Sequence, residues 1–141
     1  MSTRSTISVL RKDGTVLSAY CHWDGYISHN GKLLFENYNT QEAAEQLVSG
    51  GDMSSLGKDC SGADGHSFNT PVKDQTVYYG RDRGETETDA VVFSSQVECL
   101  LAQRRAQEYN YLFANGYWYV AGNSMATEKS QRLTAETFVD E

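Results

Sequence analysis

At 141 residues, with 39% hydrophobic and 11% aromatic side chains, the chain has the bulk for one core and reads as one domain over 1–141. A formal net charge of -7 argues against the basic face of a general nucleic-acid binder, and no apolar run approaches the ~20 residues of a membrane-spanning helix. The opening "MSTRSTISVL" lacks the apolar centre of a signal peptide, and Cys21, Cys60 and Cys99 are odd in number and far apart, so they read as free thiols in a reducing cytoplasm.

In chain order, residues 4–12 and 15–23 flank Asp13-Gly14, a strong hairpin signal. A two-residue turn would pair 12 with 15. It would put Ile7, Val9, Val16 and Tyr20 on one face, and set Arg4 across from Trp23 within cation–π reach. Two short helices follow over 31–38 and 40–49, the second with Leu47 and Val48 at helical spacing, Asn39 as its cap with Glu42 three residues on, and Gly50-Gly51 as its stop. Residues 52–74 are small and polar and read as a long loop with the chain's one proline, Pro71. Thr76–Tyr79 and Ala90–Phe93 read as strands, and 95–107 as a helix capped by Ser94 or Ser95. Tyr109–Phe113 and Tyr117–Ala121 flank Asn115-Gly116, a second hairpin whose register puts Tyr111, Phe113, Trp118 and Val120 on the core face. Residues 122–141 form a loose C-terminal segment in which Thr134 caps a short helix. The pattern predicts an α+β domain: a mainly antiparallel sheet built from hairpins, with helices packed on one face.

Two stretches carry candidate chemistry. "YYGRDRGETETD", residues 78–89, places Arg81 and Arg83 two apart in a glycine-bounded turn. In extended conformation both would point one way, beside Tyr79, as a phosphate clamp with a stacking ring. The competing reading is a self-neutralised surface turn, in which the arginines pair with Glu85, Glu87 or Asp89 for about 0–1 kcal/mol each. "YCHWDGYISHNG", residues 20–31, gathers His22, Trp23, Asp24, Tyr26, His29 and Asn30 at a strand end, a composition that suits a planar polar ligand. His22 with Asp24 also has the residue types of acid–base work, although hairpin-end packing explains the same residues.

Other chemistries find less support. The histidines and cysteines lack CxxC or HxxxH spacing, so no metal or other cofactor is expected. Cys21 and His22 are strand neighbours and point to opposite faces, which disfavours a dyad. No GxSxG, P-loop or GxGxxG is present. The strand "YNYLFANGYWYV" carries Asn110, Leu112 and Tyr119 on its second face, which is either core or a partner surface.

"MSTRSTI" at 1–7, "YCHWDGY" at 20–26, "NGKLLFENYN" at 30–39, "GDMSSLG" at 51–57, "YGRDRGE" at 79–85 and "YNYLFANGYWYV" at 109–120 together resemble uncharacterised small phage and prophage proteins, in order from residue 1 to about 121. The resemblance implies a phage accessory protein working in the bacterial cytoplasm, a setting in which such proteins often counter host defence. One expectation is a homo-oligomeric sponge that sequesters a nucleotide-type immune signal without catalysis. It would use Trp23, Tyr26 and Tyr79 to stack and Arg4, Arg81 and Arg83 to grip phosphate, beside His22, Asp24, His29 and Asn30. The alternative is an acidic inhibitor that mimics DNA or blocks a basic host defence protein through the "ETETD" run. A hydrolase of the signal, with His22 or His29 as base, is the weaker alternative. None of these binds nucleic acid directly or requires a membrane.

Overall fold

A computed structural model describes residues 4–60, 66–94, 109–122 and 131–134. The first hairpin joins β1 (Ser5–Leu10) to β2 (Val16–Cys21), with Leu10 across from Val16 and Ser5 across from Cys21. Its register is therefore one place off the two-residue turn. Asp13 explains the difference, because its carboxylate accepts from the Thr15 N–H at 2.9 Å and holds a three-residue loop. Gly14 sits in that loop at φ +89 and donates to the Arg11 carbonyl at 3.0 Å. A one-residue slip re-sorts both faces of a strand. Ile7 and Val9 face the core with Leu17, Ala19 and Cys21, while Tyr20 lies on the opposite face with Thr6, Ser8, Val16 and Ser18. The Arg4–Trp23 contact goes with the slip: the described cation–π pairs are Arg81–Tyr78, Arg83–Phe68 and Arg132–Tyr117.

The second hairpin, β6 (Tyr109–Ala114) and β7 (Tyr117–Gly122), keeps the sequence-derived register, with Ala114 across from Tyr117. Asn115 at φ 53 and Gly116 at φ 88 supply the two left-handed residues of a type I′ turn. Tyr111, Phe113, Trp118 and Val120 are all buried.

The two hairpins meet through β1 and β6, which run parallel from Ser5–Tyr109 to Val9–Phe113. The outer edge of β2 is divided. β3 (Met53–Ser55) joins it in parallel at Cys21, and β5 (Val91–Phe93) pairs antiparallel along Val16–Ser18. β4 (Val77–Tyr78) pairs with β3, and β8 (Gln131–Arg132) with β7, giving the order β4-β3-β2-β1-β6-β7-β8. The domain is α+β, but the sheet is mixed, not mainly antiparallel. Each parallel pairing spans a connection long enough to turn the chain fully round.

A π-helical turn (Ile27–Gly31) runs into α1 (Lys32–Asn37), and α2 (Gln41–Ser49) follows. Thr40, not Asn39, caps α2, accepting from the Ala43 N–H at 3.2 Å. Gly51, at φ +90, ends the turn beside Thr88, whose carbonyl oxygen would lie 2.3 Å from any Cβ placed there. Leu34, Tyr38, Ala44, Leu47 and Val48 share one core cluster with the β1, β2, β6 and β7 side chains. Its large aromatics have satisfied polar tips: Trp118 Nε1 donates to the Tyr38 carbonyl (2.9 Å), Tyr38 Oη to the Gly57 carbonyl (2.6 Å) and Tyr111 Oη to the Gly25 carbonyl (2.6 Å). Leu133, which the sequence reading leaves in a loose segment, is 1% exposed in the core, and its N–H donates to the Trp118 carbonyl at 2.8 Å. The helix expected over 95–107 and the one after Thr134 lie outside the described residues.

Candidate functional site

The arginine turn is helical. Tyr79–Arg83 forms α3, which ends at Gly84 in the left-handed region (φ 80). Positions two apart on a helix point about 200° apart, so the shared direction expected of an extended turn is lost. Arg81 folds back onto its neighbour Asp82, with Nε donating to Oδ1 at 2.8 Å and Nη2 to Oδ2 at 2.9 Å. Nη1 also donates to the Cys60 carbonyl (2.6 Å) and Nη2 to the Thr76 carbonyl (3.1 Å), while the guanidinium lies 4.7 Å over the Tyr78 ring. Arg83 covers the Phe68 ring at 4.7 Å and approaches Glu85 at 3.7 Å on the surface.

Asp82 organises this region. Besides Arg81 it accepts from the Tyr78 N–H at 2.8 Å and lies 3.2 Å from His66 Nε2. Only 1% of the His66 side chain and 4% of the Asp82 side chain are exposed. Val72 N–H donates to His66 Nδ1 at 2.9 Å, so the ring proton sits on Nε2 and faces Asp82. Burial pushes the Asp82 carboxyl up, but the Arg81 hydrogen bonds, the Tyr78 N–H and the Arg81 charge outweigh it and hold it below the ordinary carboxylate range. Neither His66 nor Asp82 is flagged by sequence spacing, since 16 positions separate them.

The segment 20–31 is built differently. Asp24, at φ 56, turns the chain out of β2, and its carbonyl accepts from the Asn30 N–H at 3.2 Å. Asn30 is fully buried, and its Nδ2 donates to the Trp23 carbonyl (3.3 Å) and the Ser5 hydroxyl (3.4 Å), while His29 Nδ1 lies 3.0 Å from its Oδ1. Asn30 is thus the internal tie of this corner. Trp23 N–H donates to the Ser54 carbonyl at 3.0 Å, which fixes the backbone under the indole. The indole itself stands out at 43% exposure and meets the His22 ring edge-on at 4.7 Å. Tyr26 is also exposed, with its ring 6.0 Å from His29. His22 Nδ1 lies 2.6 Å from the hydroxyl of Tyr20, its neighbour on the same face. Burial raises the Tyr20 phenol; the charge of Arg4 opposes this, and Tyr79 and Asp52 add to it.

The structure therefore joins Tyr20 to His22 and His22 to Trp23, with the charge of Arg4 felt at the Tyr20 phenol, while the Tyr79 ring lies 6.1 Å from Phe68; Tyr20 is a residue that sequence reasoning passed over although its alternation with His22 was readable. Tyr26, His29, Asn30 and Asp24 line the adjoining turn. No described contact joins Arg81 or Arg83 to Trp23. The three histidines serve separate partners: Tyr20, Asn30, and Asp82 with Val72. Burial pushes the Cys21 thiol up to about 12, which leaves it inert beside His22. No protein-family model, curated protein or solved structure matches this chain.

Proposed function

We propose that this protein binds and sequesters a small nucleotide-type ligand, as a phage accessory protein that withdraws an immune signal from host defence. The observation that carries the reading is the Trp23 indole, exposed and edge-packed on His22, on a backbone pinned by Ser54 and Asn30. A rigid, exposed indole offers a stacking platform for a base, an interaction of about 1–3 kcal/mol. Arg4 supplies the nearby cation, in the role that the sequence reading shared with Arg81 and Arg83. Binding alone suffices for sequestration, so no general base is invoked.

The test is to incubate purified protein with cyclic nucleotides and ADP-ribose derivatives, filter, heat-denature the retained fraction and chromatograph both fractions. The expected result is one ligand depleted from the filtrate and recovered intact. Recovery as products makes the protein a hydrolase instead, and free, unchanged ligands remove the small-molecule reading.

A second reading rests on the segment after α3. Glu85, Glu87 and Asp89 are exposed, and Arg81 is committed to Asp82, so the acidic run keeps most of its charge for a basic host protein. Capture of such a partner, lost when the three acids are neutralised and weakened steeply by salt, supports that reading.

A further inference from the structure

We infer that His22 and Arg4 form an oxyanion-reading pair beside the Trp23 platform, with Tyr20 as the positioning residue that holds His22 in its Nε2–H tautomer. The inference deepens the proposed function and rests on that reading for its biological meaning; its geometry stands apart from it. The Tyr20 Oη to His22 Nδ1 separation is 2.6 Å. That length is shorter than the ~2.7–3.2 Å typical of N–H donors and suits the phenol O–H as donor. The phenol is therefore the donor and Nδ1 the acceptor. The phenol's raised pKa keeps its proton in place near neutral pH.

A neutral imidazole carries one proton, so accepting at Nδ1 places that proton on Nε2. Among the described residues nothing accepts from Nε2, and no buried side-chain nitrogen or oxygen is left without a partner. The ring thus directs an N–H donor outward next to the indole. Its orientation is held at both sides, by Tyr20 at Nδ1 and by the edge contact with Trp23.

Arg4 completes the pair. The β1–β2 ladder ends with Ser5 across from Cys21, and Arg4 and His22 are the residues that follow that last pair on the two chains. The Arg4 carbonyl accepts from the Tyr109 N–H at 3.3 Å, which ties its backbone to β6 while its side chain stays exposed. A held N–H donor and a guanidinium at the same end of the β1–β2 hairpin, beside an aromatic plane, match a phosphoryl oxygen attached to a base-bearing nucleoside. Arg81 fills no such role, because its donors already meet Asp82 and two carbonyls.

The experiment uses the full chain labelled with 15N. Two-bond proton–nitrogen spectra read which His22 nitrogen is protonated, and inorganic phosphate is then titrated in as the probe. The expected result is the Nε2–H tautomer, with shifts at His22 Nε2 and the Arg4 guanidinium that saturate together in the millimolar range. Tyr20→Phe, which removes one hydroxyl, should release a mixture of tautomers and weaken phosphate binding roughly five- to tenfold. Arg4→Ala should abolish saturation while leaving the tautomer in place. A proton on Nδ1 in the unmodified protein overturns the inference. So do shifts no larger than those at Arg11 and Lys12, or a Tyr20→Phe variant with tautomer and affinity unchanged. Success here with no nucleotide retained on the filter removes the sequestration reading and keeps the pair. Nucleotide retention without these signals does the reverse.

Discussion

Two regions of this molecule contain the same ingredients and use them oppositely. Around α3 an arginine, a histidine and an aromatic ring meet a carboxylate, Asp82, which takes up both the guanidinium and the imidazole N–H inside the protein. At the end of β2 a histidine meets a phenol, Tyr20, which occupies one of its nitrogens, beside an exposed indole and an exposed arginine whose guanidinium no described carboxylate claims. The difference is the hub. A buried carboxylate closes a cluster on itself, whereas a hydroxyl donor orients its neighbour and passes the remaining donor outward. Clusters of identical residue type separate into structural and ligand-facing by what sits at their centre.

The strongest way to break this comparison is Asp82→Ala. It leaves Arg81, His66 and the Tyr78 N–H without their shared acceptor, and it should destabilise the fold by about 2–4 kcal/mol in urea unfolding, less than for a fully buried pair because Arg81 is 34% exposed. A change below about 0.5 kcal/mol would mean the region is not held by its carboxylate. The same group predicts an acid limit. The Asp82 carboxyl is depressed in the folded state, so its stabilisation is present above the ordinary carboxylate range and is lost as pH falls through the folded value. A urea midpoint that declines on acidification in the native protein, with a shallower decline in Asp82→Asn, checks this.

Trp23→Ala comes next. It should reduce ligand retention by about 1–3 kcal/mol while moving the unfolding midpoint little, the reverse of Asp82→Ala. Arg81→Ala should destabilise by about 1–2 kcal/mol and leave ligand retention unchanged, since its bonds are internal. A loss of retention there, at constant stability, would return Arg81 to the ligand and erase the contrast. Arg83→Ala is the smallest effect. Its contacts with Phe68 and Glu85 are exposed, and about 0–1 kcal/mol is expected by the same unfolding assay.

The second hairpin was fully legible because Asn115-Gly116 leaves one turn type open to the backbone, and alternation then sorts Tyr111 and Phe113 inward. The first was legible only in outline. Asp13-Gly14 fits either a two- or a three-residue loop, and the choice fell to the Asp13–Thr15 hydrogen bond, which spacing alone does not reveal. That one-place slip moved Tyr20 off the face it was expected to share with Ile7 and Val9 and hid the residue that contacts His22. The parallel β1–β6 contact was illegible, because long-range pairing leaves no local periodicity. The Arg81 outcome depended on whether residues 79–83 coil or extend, and Gly80 with Gly84 permits both. The aromatic corner was found from composition, yet its internal tie, Asn30, and its outward groups, His22 and Trp23, were told apart only by burial.

The parallel seam between β1 and β6 also bears on synthesis. A ribosome releases the first hairpin long before Tyr109, so the β1 edge that β6 will cover leaves the exit tunnel bare, with Ile7 and Val9 on a face that still lacks Tyr111, Phe113 and Trp118. Leu133, the last described core side chain, closes against Trp118 later still. The nascent chain therefore carries an open strand edge until residues 109–113 emerge, and the finished sheet forms as a late closure, so segments about a hundred residues apart are bound to one cooperative folding event.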